Sequence, residues 1–377
     1  MKATLVIFAL VCVSMAFASR VAPRVMPLTS PEYQFLFKQW MVKHEIEYDS
    51  TPQFDTRFAI FKDNLETIRK HMSNGERSFD MALNKFGDLT PHEFKDMYLS
   101  YVPRQREYMR SLNTFVLDTD VLPASVDWVT AGKVTAVKDQ GQCVSCCSVP
   151  FCLSRTLPSF RIQGSCWAFS TTGSTEAAYA IENNCAPISL SEQELVDCSQ
   201  AEGNEGCSGG LMDQGFEFII KNGGLCSETA YPYKATDNTC AKSTCKSVVT
   251  IGAFTDVPKN NESALQAAVA QQPVSVAVDA ESWQFYSGGV LTGTSCGTSL
   301  DHGVLLVGYG TTTDSAAQAF WKVKNSWGGG WGESGYIRIG RGTGSGSAGT
   351  CGIAMDPSYP TGVHSVSMAR LHRVRLH

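Results

Sequence analysis

The sequence predicts an α+β fold in which two lobes share one chain behind a separate helical segment. Three observations carry that prediction. Helical periodicity fills the N-terminal part and returns between residues 167 and 221, whereas strand-like runs bounded by Gly and Pro crowd into residues 274–339. The 377 residues exceed one domain of about 100–200 residues and leave room for two or three folding units. The composition is 43% hydrophobic with seven Trp and nineteen Phe, enough for buried cores and incompatible with a largely disordered chain.

Lys2, the apolar run Leu5–Val13 and the small-residue site Ala16-Phe17-Ala18 read as a signal peptide over residues 1–18. The apolar stretch Ala3–Ala18 is 16 residues, short of the roughly 20 that span a bilayer, and no later run is long enough. Residues 19–121 read as helical. Ser30-Pro31 and Thr51-Pro52 each place an N-cap residue before a proline suited to the first helical turn. Phe35, Leu36, Trp40 and Met41 then recur at helical spacing, as do Phe54, Phe58, Phe61, Leu65 and Ile68. Each set makes an apolar stripe that needs a partner.

From Leu122 the texture changes to Gly-rich loops, cysteines and short strands. Helices are expected at Trp167–Glu182, Ser191–Cys198 and Met212–Lys221. The second opens on the capping box Ser191-x-x-Glu194, and the third ends at Asn222-Gly223. Strands are expected at Val274–Val278, Val304–Tyr309, Phe320–Lys324 and Tyr336–Ile339. Val363–His377 carries arginines and histidines without an acidic residue and reads as a disordered basic tail.

Thirty-one Lys and Arg against 36 Asp and Glu give a net charge of −5 without a dominant basic stretch, which argues against a nucleic-acid partner. Fourteen cysteines are too many for idle thiols in a reducing cytosol and point to disulfides in an oxidising compartment. Paired Cys-x-x-Cys at zinc-finger spacing is missing, so neither a metal nor an organic cofactor is expected.

Nucleophilic acyl transfer needs an activatable nucleophile, a base within hydrogen-bond reach and a group that orients the base. Gly164-Ser165-Cys166-Trp167 offers the nucleophile. Asp301-His302-Gly303 lies 136 residues beyond Cys166, and Asn325-Ser326-Trp327-Gly328 lies 159 beyond it. Singly, each has a plain structural explanation: a disulfide half, a surface histidine, a turn. Together, in this order and spacing, they fit one chemistry.

On these motifs the chain resembles the papain family of cysteine proteases, in particular its cathepsin L-like branch. The resemblance extends upstream. Arg57, Phe61, Asn64 and Ile68 match the interrupted helical motif of cathepsin L-type propeptides, with Gln53 and Met72 where Glu and Asn are usual. Ala82-x-Asn84-x-Phe86-x-Asp88 matches the motif that follows, with Ala for the usual Gly, and Leu122-Pro123-Ala124-Ser125-Val126-Asp127-Trp128 looks like a mature N-terminus. The resemblance implies a papain-like fold, a helical lobe facing a β-barrel-like lobe, with an inhibitory propeptide over 19–121 and a mature part over 122–362.

It also implies roles. Cys166 would open a buried helix whose N-terminal charge favours thiolate. His302 would take the thiol proton and later protonate the leaving amine. Asn325 would accept the other imidazole N–H, and Gln140 would donate to the oxyanion alongside the Cys166 backbone N–H. Trp327 would shield the His–Asn bond from water and is counted with the substrate-binding residues Gly209, Gly210, Leu211, Met212 and Asp356. Leu211 and Met212 would line the S2 pocket with Asp356 at its floor, favouring large apolar P2 residues and tolerating Lys or Arg. Cys143–Cys207, Cys198–Cys240 and Cys296–Cys351 carry over as disulfides, leaving Cys185, Cys226 and Cys245 unassigned.

One stretch departs from the family. Deleting the 20 residues Val144–Gln163 restores an unbroken Asp-Gln-Gly-Gln-Cys-Gly-Ser-Cys-Trp. The stretch has no Asp, Glu, Gly or Ala, begins with a residue whose codons start GT and ends with one that has a codon ending AG. It reads as a retained in-frame intron, the competing reading being a genuine loop that separates Gln140 from Cys166. The expected function is a cysteine endopeptidase made as a zymogen, acting on peptide and protein substrates, with its own propeptide as intramolecular inhibitor. A monomer in the secretory pathway is expected, lysosomal, vacuolar or extracellular. The alternative is an inactive papain-like binding or storage scaffold.

Overall fold

A computed structural model of the chain describes residues 28–101, 115, 122–143, 164–293, 295–342 and 348–366. The signal peptide, Val144–Gln163 and the tail from residue 367 lie outside the described residues.

The N-terminal segment forms helices α1 (Ser30–Lys43) and α2 (Thr51–Met72), strand β1 (Phe79–Met81) and helix α3 (Pro91–Tyr98). The caps of the first two helices are Thr29 and Ser50, one residue before the expected Ser30 and Thr51, so each proline sits within the first turn rather than next to the cap. The apolar stripes of α1 and α2 face each other. Phe37, fully buried, stacks among Trp40, Phe54, Phe58 and Phe61, with Phe37 and Phe61 centroids 5.0 Å apart. Such ring pairs add about 0.5–1.5 kcal/mol each beyond their area burial. Arg57 grips Glu93 with two nitrogens at 2.9 Å and also donates to Asp88 O, while Asn64 donates to Gly87 O and Leu89 O. These bonds tie α2 to the turn that launches α3.

The part that follows begins with β2 (Val126–Asp127). Its helical lobe holds α4 (Cys166–Glu182), α5 (Glu192–Cys198) and α6 (Met212–Asn222), the last ending on Gly223 in the left-handed region at φ 75°. Helix α4 is buried on nearly every side and is built from small residues that let its neighbours approach. A Cβ on Gly173 would sit 3.0 Å from Leu305, and Ser170 Oγ donates to Val304 O. In α5 only half of the expected capping box forms. Ser191 Oγ accepts from Glu194 N–H, but the Glu194 carboxylate is drawn to Cys226 N–H and Asn222 instead.

The second lobe adds β3 (Val249–Thr250), β4 (Ala253–Asp256), helix α7 (Glu262–Gln271), β5 (Val274–Val278), β6 (Tyr286–Leu291), β7 (His302–Thr311), β8 (Ala319–Lys324), β9 (Tyr336–Gly340), β10 (Ser358–Thr361) and β11 (His364–Ser365). The main sheet runs β1-β6-β9-β8-β7-β5-β10-β4, with β2 beside β7, and β11 pairs with β3. The papain-like two-lobed fold is as expected, and among the described residues the sheet of the second lobe is not closed: β4 lies at one end, and at the other β1 of the N-terminal segment pairs with β6. This is strand addition across the boundary between the two parts, in antiparallel register Phe79 to Gly289. The expected tail is also shortened. Val363 is buried in the helical-lobe core with its N–H on Glu182, and β11 follows it, so the fold continues to residue 366.

Candidate active site

Chain direction explains how the catalytic candidates meet. Helix α4 packs along β7, and both begin at the same end, so Gly303 N–H donates to Cys166 Sγ at 3.2 Å. Strands β7 and β8 are antiparallel, which sets His302, at the start of one, beside Asn325, just past the end of the other. His302 Nε2–H donates to Asn325 Oδ1 at 2.8 Å. That same oxygen accepts from Ser326 N–H at 2.7 Å, which fixes the amide orientation and hence the imidazole tautomer. Nδ1 is left with a free lone pair, buried and without a hydrogen-bond partner. The Trp327 ring stacks on His302 with centroids 4.7 Å apart and is itself fully buried.

Gln140 is held at four atoms. Its N–H donates to Ser326 O at 2.8 Å, its Oε1 accepts from Ser326 Oγ at 2.6 Å, its O accepts from the Tyr233 hydroxyl at 2.8 Å, and its Nε2 donates to Tyr98 O at 3.2 Å. Two residues earlier, Lys138 is buried against Glu176 of α4 and Glu192 of α5 at 3.0 and 2.6 Å. Burial disfavours its charge, but the two carboxylates overcome this and hold the lysine protonated far above its ordinary range. Burial in turn raises Glu192 to about 7. A Cβ on Gly164 would come within 2.4 Å of Gln140 Nε2, so the residues flanking 144–163 lie against each other.

The groove is occupied by the N-terminal segment. Phe86, Phe94 and Tyr98 surround Trp327 edge-on, Ser100 Oγ lies 3.2 Å from Cys166 Sγ, and Tyr101 bridges Gly210 in parallel. Gly210 must be glycine here, since a Cβ would meet the Trp167 ring at 2.7 Å. Leu211 and Met212 share the apolar cluster that contains Tyr101, and the Tyr101 hydroxyl donates to Asp356. Salt bridges Lys85–Asp139 and Lys95–Glu281 pin the segment on either side. Under this cover Cys166 and His302 are both fully buried. Desolvation pushes the thiol up against the pull of the Ser100 and Gly303 bonds. It lowers His302 to about 4 against the raising effects of Asn325 and Asp301. Burial thus favours the neutral form of each group.

The structure joins Cys143–Cys207, Cys198–Cys240, Cys296–Cys351 and also Cys226–Cys245. Cys166 and Cys185 stay free among the described cysteines. Glu194, Cys226 and Cys245 bring ligand atoms within metal-binding range, but the disulfide consumes both sulfurs. Among the described residues, no helix is long and apolar enough to cross a membrane. Sequence reasoning missed Ser326, Tyr233, Lys138, Ser100 and Tyr101. Ser326 stood inside a motif already singled out, and the others carry no local signal because their partners are remote in sequence.

The family model "Papain family cysteine protease" matches residues 161–361, and "Cathepsin propeptide inhibitor domain (I29)" matches residues 37–94. The chain is 44% identical over 336 residues to "Probable cysteine protease RDL2" of Arabidopsis thaliana, covering 88% of this chain and 86% of that protein. It is similar to the solved structure titled "Recombinant stem bromelain precursor", with TM-score 0.75 and 38% identity over 88% of this chain and 99% of that one. Digestive procathepsin L 3 of Tenebrio molitor larval midgut gives TM-score 0.73 and 39% identity over 87% and 99%.

Proposed function

Because the chain belongs to the papain family of cysteine proteases, we propose that Cys166 is its nucleophile, His302 its general base and acid, Asn325 the group that orients the imidazole, and Gln140 an oxyanion donor. The protein is a cysteine protease made as a zymogen, with its own propeptide domain as inhibitor. The observation that carries the residue assignment is the buried His302 ring, bonded to Asn325 through Nε2 and bearing an unpartnered Nδ1 at the end of the sheet where Gly303 touches Cys166.

Latency follows from solvation. With Ser100 over the thiol, charge separation has no water to support it, so the pair stays neutral. Removing residues 98–101 hydrates the groove. The N-terminus of α4 then favours the thiolate, and Nδ1 takes the proton. The thiolate attacks the substrate carbonyl, the C–N bond breaks as His302 protonates the leaving amine, and water activated by His302 hydrolyses the thioester. Gln140 Nε2 and the Cys166 N–H stabilise the oxyanion formed in each half. In the zymogen that same Nε2 donates to a propeptide carbonyl, Tyr98 O, a geometry suited to the role.

The enzyme acts as a monomeric endopeptidase of the secretory pathway, matured near Leu122. Val144–Gln163 is read as a retained intron from its sequence; Gln140 lies against Gly164 in the chain that carries the stretch, so the genuine-loop reading is compatible with an oxyanion donor at Gln140. Thiol-dependent hydrolysis by the matured protein, abolished in Cys166→Ala and undiminished by deleting 144–163, tests the assignment. Hydrolysis that survives Cys166→Ala would overturn it.

A further inference from the structure

One motif of the sequence stands apart from the catalytic machinery. Asn261-Glu262-Ser263 is the only Asn-x-Ser or Asn-x-Thr triplet in the 377 residues, and its middle residue is not proline. It lies between β4 and the first turn of α7, behind a turn in which Pro258, Lys259 and Asn260 are all exposed. The turn is held from beneath, where Asn260 N–H donates to Ala354 O at 2.6 Å. The three side chains of the triplet divide by direction. Glu262 turns inward and accepts from Trp321 Nε1 at 2.9 Å and from Gly342 N–H at 3.2 Å. Asn261 and Ser263 are exposed. Asn261 caps α7, its Oδ1 accepting from Ala264 N–H at 3.0 Å. The oxygen of the amide therefore serves the helix, and the nitrogen is left on the solvent side.

We propose that Asn261 is an N-glycosylation site, bearing one oligosaccharide on Nδ2. The proposal rests on the reading of the chain as a protein of the secretory pathway. Cys143–Cys207, Cys198–Cys240, Cys226–Cys245 and Cys296–Cys351 support that reading, since such bonds form in an oxidising lumen. The donor is a lipid-pyrophosphate-linked oligosaccharide. A bond forms from Nδ2 to the sugar C1, the bond from C1 to the pyrophosphate oxygen breaks, and one Nδ2 proton is released. The Ser263 hydroxyl completes the acceptor motif. The product keeps Oδ1 and one N–H, so the cap on α7 survives the modification. With Glu262 anchored inward, the bulky, solubilising glycan stands on the surface without displacing a packed side chain.

The full chain secreted from eukaryotic cells, with its Ser263→Ala and Ser263→Thr variants, tests the site. Both variants leave the Asn261 cap in place, which Asn261→Gln would disturb. The expected result is a single downward step in mass when the protein is treated with an amidase that releases N-linked glycans, with Asn261 converted to Asp. The step is absent in Ser263→Ala and present in Ser263→Thr. N-terminal sequencing of the same sample reports entry into the secretory pathway through loss of residues 1–18. A chain that has lost them and bears no glycan on Asn261 overturns the proposal alone, as does a step that persists in Ser263→Ala. A chain that retains them and bears no glycan overturns the secretory reading and the proposal with it.

Discussion

Replacing Gln140 by Ala removes one side-chain donor from a site where it is fixed in advance. Gln140 is fully buried, and two of its bonds go to Ser326, one of them through the amide oxygen. The Nε2–H therefore needs no reorganisation to meet a developing oxyanion. Removing one such donor costs about 2.7–4 kcal/mol, or 10²–10³ in kcat. Ser326→Ala keeps the donor but frees the amide to rotate, at a cost of about 1 kcal/mol, or roughly fivefold. The assay is kcat and KM on a fluorogenic peptide, with active enzyme counted by alkylation of Cys166. A Gln140→Ala enzyme that keeps more than a third of wild-type kcat, or that loses activity only through KM, would refute the reasoning.

Glu93→Gln breaks the pair with Arg57. Burial acts to raise the Glu93 pKa, but the Arg57 and Thr90 bonds prevail and hold it below its ordinary 4.5. Its contribution to zymogen stability is present above that value and is lost as pH falls through the lowered one. Because Glu93 is part-exposed, the variant loses about 1 kcal/mol at neutral pH, measured by denaturant melting of the full zymogen, and its stability falls less steeply than the wild type's below pH 4.5. Tyr233→Phe removes a hydroxyl that donates to Gln140 O and lies 2.6 Å from Ser165 Oγ, linking the chain on both sides of 144–163. Loss of about tenfold in kcat with KM unchanged is expected in the full chain, and a smaller loss once 144–163 is deleted, because the shortened backbone then supplies the link.

The long helices and the central strands were legible because their periodicity is strong. Met212–Asn222 and Val274–Val278 fall where the pattern predicts. Helix α3 lies inside the segment read as helical but its bounds were not placed, although Thr90, Pro91 and Glu93 form a capping box with proline in the first turn, since eight residues give too short a stripe to stand out. Helix α7 was missed because its alanines blur the two faces, and β6 because two of its six residues are glycine. The proposed nucleophile, base and amide were singled out by motif order. Their environment was not, because it is made by distant residues: Ser100 over the thiol, Tyr233 and Ser326 around Gln140, Lys259 on Asp356. The open sheet edge was equally hidden, since only the folded chain reveals that β1 occupies it.

The pH dependence of Cys166 alkylation by iodoacetamide, before and after propeptide removal, probes the proposed thiolate–imidazolium pair most directly. In the zymogen the thiol should be inert from pH 5 to 8, buried and neutral. In the matured enzyme it should react rapidly even at about pH 5, and His302→Ala should abolish that acid-range reactivity. A matured enzyme whose Cys166 alkylates only above about pH 8.5, as an ordinary thiol does, would contradict the account.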